Sequence, residues 1–200
     1  VLIPAAFIAV AVFALAALGQ EFTYIGVQKC MPCHKGEKIG MQYPIWEKSV
    51  HSKSFVALSS EPAAAAAQAL GIKDPANAPQ CLKCHSPLFE KAPDLKSEGI
   101  GCEVCHGPGS EYKKMSNMLN REAAVKAGLK VYGSPEAIKT WCLTCHANAH
   151  GKTFDFAAGW DKIKHLRPGK STPRLPGMNA GAYSGLTLSL TSRPRLERRG

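Results

Sequence analysis

Four copies of one five-residue pattern constrain this chain more than any other feature. Cys30-Met-Pro-Cys33-His34, Cys81-Leu-Lys-Cys84-His85, Cys102-Glu-Val-Cys105-His106 and Cys142-Leu-Thr-Cys145-His146 use all eight cysteines of the 200 residues and four of the seven histidines. A histidine directly after each Cys-x-x-Cys pair reads as covalent attachment of c-type haem. Two thiols three residues apart reach the two vinyl-derived arms on one porphyrin edge as thioethers, and the next residue places an imidazole under the iron. Zinc sites also use Cys-x-x-Cys pairs but need no histidine immediately after every one. A disulfide framework would use eight cysteines and leave the histidines unexplained. Thioredoxin-like redox chemistry needs one such pair, not four. The pattern therefore predicts four haem c groups, with Cys30, Cys33, Cys81, Cys84, Cys102, Cys105, Cys142 and Cys145 as anchors. His34, His85, His106 and His146 are the proximal iron ligands.

The remainder of the chain agrees with a haem-filled interior. A 45% hydrophobic content excludes a disordered acidic chain, and it falls far short of a multi-pass membrane protein. Much of it sits in Val1–Leu18, which is apolar throughout, and in the five alanines Ala63–Ala67. Few large side chains are left to build a core, so the porphyrins are expected to form much of it. Only 16 residues separate His85 from Cys102, too few for an independent domain between those motifs. The expected fold is mainly α with much irregular loop and few or no strands, wrapped around a cluster of four covalently bound haems.

Local signals place the helices. Tyr43 to Leu58 reads as one helix with His51, Phe55 and Leu58 on a single face. Ser60-Glu61-Pro62 opens an alanine-rich helix that Gly71 closes. Asn120 caps a helix running to Gly128, and Ser134-Pro135-Glu136 starts the helix that carries the fourth motif. Asp155 caps a last amphipathic stretch, Phe156–Leu166, stopped by Pro168-Gly169.

The two ends read differently from this middle. Residues 1–19 are rich in alanine and offer small residues before a signal-peptidase cut, so they read as the remainder of an export signal. Eighteen apolar residues would also serve as a single membrane anchor across a core of about 30 Å. Either reading places residues 20–168, the tetrahaem domain, in the periplasm or outside the cell. Residues 169–200 form a basic tail of disordered character. Six of its residues are Lys or Arg against the single acid Glu197, so half of the net charge of +10 lies there. The charge is accordingly no argument for nucleic acid as a partner.

Subtracting the four proximal histidines leaves His51, His150 and His165 as candidate sixth ligands, one short of the four that four haems would take. His51 has apolar neighbours suited to covering a porphyrin. His165 ends the last helix roughly opposite Phe156, so both face one haem only if the helix frays. His150 follows His146 by four residues and cannot reach the far side of the same haem, although a neighbouring one is within reach. At least one iron is left five-coordinate, bound by another atom such as the sulfur of Met115 or Met118, or completed from another chain.

Several stretches beyond the motifs carry a family likeness. Cys30-Met-Pro-Cys33-His34-Lys35, Ile45-Trp46-Glu47-Lys48-Ser49-Val50-His51, Gly101-Cys102-Glu103-Val104-Cys105-His106-Gly107-Pro108-Gly109-Ser110, and Phe154-Asp155-Phe156 through Ile163-Lys164-His165 together resemble the tetrahaem cytochrome c-554 family over about residues 22–168. The resemblance implies a helical fold around closely stacked haem pairs, with electron transfer as the activity. It also implies one five-coordinate haem, at His85, with His51 and His165 as distal ligands. The family commonly has a distal histidine after the Gly-Pro-Gly turn. Here no histidine lies between Gly107 and Trp141, where Tyr112, Met115 and Met118 stand.

The leading functional reading is a one-electron shuttle between other redox proteins, an electron carrier rather than an enzyme. Two alternatives stay open: a haem enzyme acting on a small nitrogen oxide or hydroxylamine at an open iron, and a conducting filament in which a neighbouring chain donates the missing ligand.

Overall fold

The computed structural model describes residues 21–165. The expected leader or anchor at 1–19 and the basic tail at 169–200 lie outside the described residues. Among the described residues nine α-helices follow in order: α1 Met31–His34, α2 Gln42–Lys48, α3 Glu61–Ala69, α4 Pro79–His85, α5 Cys102–His106, α6 Met115–Met118, α7 Arg121–Lys126, α8 Pro135–His146 and α9 Phe156–Ile163. Short 3-10 turns connect several of them, and no strand occurs among the described residues. The helical class expected from the sequence is therefore the observed one. No helix among the described residues is long and apolar enough to cross a membrane.

Capping sets the longer helices. The Ser60 hydroxyl accepts from the Ala63 amide at the start of α3, and Asn120 Oδ1 accepts from Ala123 N (3.0 Å) at α7. Ser134 Oγ accepts from Ala137 N (3.1 Å) at α8, and Asp155 Oδ1 from Ala158 N (3.0 Å) at α9. Each side-chain oxygen satisfies an amide that the first helical turn leaves without a backbone partner.

The expected single helix from Tyr43 to Leu58 is broken. α2 stops at Lys48 because Ser49 is extended (φ −78°, ψ 164°), and two 3-10 turns, His51–Lys53 and Val56–Ser59, carry the chain onward. Ser52 Oγ donates to the carbonyls of Glu47 (2.8 Å) and Ser49 (2.9 Å), the local competition with helical bonding that short hydroxyl side chains offer. His51, Phe55 and Leu58 therefore do not share a helical face. The last helix likewise ends earlier than expected, at Ile163, because Lys164 turns extended (φ −60°, ψ 137°).

The described residues contain little apolar core of their own. A small cluster of Tyr112, Ala124 and Ala127, with Met118 and Leu129 against it, packs beside α6 and α7. Elsewhere single residues such as Val27, Leu58 and Leu82 are buried, and Ser86 is the largest side chain with under 2% of its surface exposed. Aliphatic burial stabilises a domain by about 25 cal/mol per Å², so a chain with so few buried large side chains needs another apolar body to pack against.

Candidate haem-binding site

Helical geometry builds each attachment site locally. α1, α4, α5 and α8 each end on the histidine of their motif. Positions i, i+3 and i+4 of a helical turn lie on one face, so two thiols and one imidazole are presented together. The eight cysteine sulfurs form no disulfide; Cys33 is exposed and the other seven are half-buried. No three His, Cys, Asp or Glu side chains converge as a bare metal ion would require, among the described residues. The motifs are thus not arranged as zinc sites.

The tertiary structure brings histidines together in pairs, each joining a motif histidine to one from outside the motifs. His51 and His146 have ring centroids 6.1 Å apart, His85 and His150 6.2 Å, and His106 and His165 5.9 Å. Imidazoles bound on opposite faces of one metal, each nitrogen about 2 Å from it, place their centroids about 6 Å apart. The spacing fits a haem iron between each pair, and the scarcity of buried apolar side chains fits the porphyrins that would surround it.

These pairings depend on the breaks in regular structure. The extended Ser49 turns His51 towards α8. The early end of α9 frees His165 from the helical angle that would oppose it to Phe156. After His146, Ala147 is extended, Asn148 and His150 are left-handed (φ 55° and 54°), and the chain doubles back so that His150 meets His85 and not its own motif. Phe154 stacks on His146 at 4.3 Å and 14°, fixing that ring from one side.

Motif edges also meet in twos. The Cys30 and Cys102 thiols are within hydrogen-bonding reach, which pushes the Cys102 thiol up and the Cys30 thiol down. Cys84 and Cys145 form a similar contact, and the Trp141 side chain hydrogen-bonds the Cys105 thiol. The first motif therefore abuts the third, and the second abuts the fourth.

Backbone carbonyls orient the imidazoles. His85 Nδ1 lies 2.8 Å from the Ser54 carbonyl and His165 Nδ1 lies 3.2 Å from that of Ile163. A carbonyl only accepts, so Nδ1 carries the proton and Nε2 keeps its lone pair for a metal. His34 Nδ1 meets Gln42 Oε1 at 3.4 Å, while Gln42 Nε2 donates to Ile39 O (2.6 Å) and so holds that oxygen towards the ring. Burial pushes His51, His106, His146 and His165 below the usual histidine range, His106 to about 4, which keeps these imidazoles neutral and able to ligate at neutral pH.

Ser54, Glu98 and Glu103 hold the motifs in place, and none of them stands out in the sequence as a site residue. Ser54 Oγ donates to the His85 carbonyl (2.9 Å) and accepts from Ile100 N (2.9 Å), tying the second motif to the chain just before the third. Replacing Ser54 with Ala is expected to cost about 1–3 kcal/mol by orphaning these partners, read as a lower midpoint in thermal unfolding of the haem-loaded protein. Glu103 is 3% exposed, and its carboxylate accepts from Ile25 N (2.9 Å), Gly26 N (2.8 Å) and Gly109 N (2.6 Å). Glu98 accepts from Val27 N (3.0 Å), with burial holding its carboxyl above the usual range. Two carboxylates thus clamp the segment leading into the first motif against the third. The available signal was an acid inside a haem motif with three glycines, Gly101, Gly107 and Gly109, around it.

Comparison with known proteins finds a similarity that includes the motifs. Residues 29–107 match the family model described as cytochrome c554 and c-prime. The chain is 26% identical over 171 residues to cytochrome c-554 of Nitrosomonas europaea, an alignment covering 76% of this chain and 70% of that protein. No solved structure matches. Three of the four haem motifs lie inside residues 29–107, so the similarity to the cytochrome c554 and c-prime family falls on the attachment residues themselves.

Proposed function

We propose that the chain is a tetrahaem c-type cytochrome that shuttles single electrons between other redox proteins in the periplasm or outside the cell. The observation that carries this reading is the set of three histidine pairs at 5.9–6.2 Å, each bringing a motif histidine to one from outside the motifs. Haem iron, when bound, supplies a reversible one-electron couple. The residues supply everything else. Cysteine pairs would anchor each group by thioethers, and imidazoles would ligate three of the four from both sides. Carbonyls of Ser54 and Ile163 hold Nδ1–H, which raises the basicity of the ligating nitrogen and fixes the ring plane. Contact of the first motif with the third, and of the second with the fourth, supports haems packed closely enough for rapid exchange within each pair.

Residues 20–168 form the haem domain in this reading, and residues 1–19 are the remainder of an export signal or a membrane anchor. The test is expression in a host with c-type maturation machinery. Intact mass is expected to show four covalent haems, and a redox titration to show four one-electron equivalents. Variants with serine at Cys142 and Cys145 should carry three. A wild-type protein with fewer than four haems overturns the reading.

A further inference from the structure

We propose that the iron held by the first motif, at His34, is the one with an exchangeable sixth position, open to a small neutral ligand, and that His150 closes the second motif. The inference rests on the tetrahaem reading and departs from what the family resemblance implies, an open position at His85. All seven histidines of the chain lie within the described residues. The pairs His51–His146, His85–His150 and His106–His165 account for six of them. His34 is the seventh. No ring contact joins it to another histidine among the described residues; its Nδ1 meets Gln42 Oε1 at 3.4 Å, and His106 and His165 face each other.

The placement of His150 is specific. Two non-glycine residues, Asn148 and His150, adopt left-handed backbone, which L side chains rarely do, and Gly151 follows at φ 68°. That reversal directs the imidazole to His85 four residues after a motif histidine it cannot serve.

The surroundings of the first motif fit an exchangeable position. Cys33 is the one exposed motif cysteine, and the turn Lys35–Ile39 after His34 is exposed throughout. The alternative ligands the sequence offers are engaged or turned out. Tyr112 is buried and its hydroxyl donates to the Gly107 carbonyl (3.0 Å), Met118 packs on the Tyr112 cluster, and Met115 is 61% exposed.

The experiment uses the haem-loaded full chain, with covalent haem counted by intact mass first. Low-temperature electron paramagnetic resonance of the oxidised protein should show one high-spin and three low-spin irons. The dithionite-reduced protein should bind one equivalent of carbon monoxide. His150→Ala should raise both counts to two, and His150→Met should keep the second iron low-spin. Replacing Cys30 and Cys33 with Ala should leave three haems, no high-spin signal and no carbon monoxide binding. Four low-spin irons in the wild type overturn the proposal, as does a high-spin count that stays at one in His150→Ala. A wild-type haem count other than four overturns the tetrahaem reading beneath it and is seen independently in the mass.

Discussion

Glu103→Ala is expected to destabilise the haem-loaded protein by about 3–5 kcal/mol, a large share of the roughly 5–15 kcal/mol that holds a domain folded. The carboxylate accepts from three backbone amides, Ile25, Gly26 and Gly109, and an alanine leaves all three without a partner. Each orphaned buried donor costs about 1–3 kcal/mol. Relief from burying the charge itself returns part of that sum, which sets the upper end of the expectation. Glu103→Gln keeps one acceptor oxygen and should lose about half as much. Guanidinium unfolding followed by far-ultraviolet circular dichroism measures both, with the midpoint falling and the slope unchanged. A loss under about 1 kcal/mol would show that the chain lead does not depend on this carboxylate. Because the same clamp sets Cys30 beside Cys102, the alanine variant should also broaden the spectral signature of the first motif before the others.

A second large effect is expected at the turn that follows α5. Gly107 has φ +79° and ψ 176°, a region essentially confined to glycine, and a Cβ there would stand 2.6 Å from the Gly128 carbonyl oxygen. Both atoms belong to backbone pinned on each side. Lys130 N donates to the His106 carbonyl (2.8 Å), the Tyr132 hydroxyl to that of Cys105 (3.0 Å) and the Tyr112 hydroxyl to that of Gly107 (3.0 Å). Gly107→Ala is therefore expected to cost about 3 kcal/mol, from about 1–3 kcal/mol of backbone strain plus displacement of the 128–132 segment. Gly107→Val should prevent accumulation of folded protein. The check is the midpoint of thermal unfolding together with haem content, and a variant as stable as the parent would refute the argument. Gly107 and Gly109 share one turn with Glu103, so the two sets of losses should combine non-additively.

Some of this was readable from residue order because it is local. A haem anchor needs two thiols and an imidazole within one helical turn, so the attachment residues, their spacing and the need for an apolar filler follow from five consecutive positions. The caps at Ser60, Asn120, Ser134 and Asp155 act over three residues and are equally visible. The break at Ser49 was not, because Tyr43–Leu58 carries helical periodicity while the serine side chains at 49 and 52 draw the backbone into turns. Glu103 was hidden for a different reason: its three donors come from residues 25, 26 and 109, and a buried acceptor has no periodic trace.

The sequence by itself determined the four Cys-x-x-Cys-His motifs, the seven histidines and the helical class, since such a motif is a matter of spacing along one turn. Only the tertiary structure decided which histidine meets which. Partners 95, 65 and 59 residues apart are brought together by an extended serine, a left-handed reversal after α8 and an early helix end. Ligand pairing across an iron depends on the path of the chain between two faces of a porphyrin, and that path is set by long-range packing and by clamps such as Ser54 and Glu103. The histidine left over, His34, is legible only after the other six have found their partners.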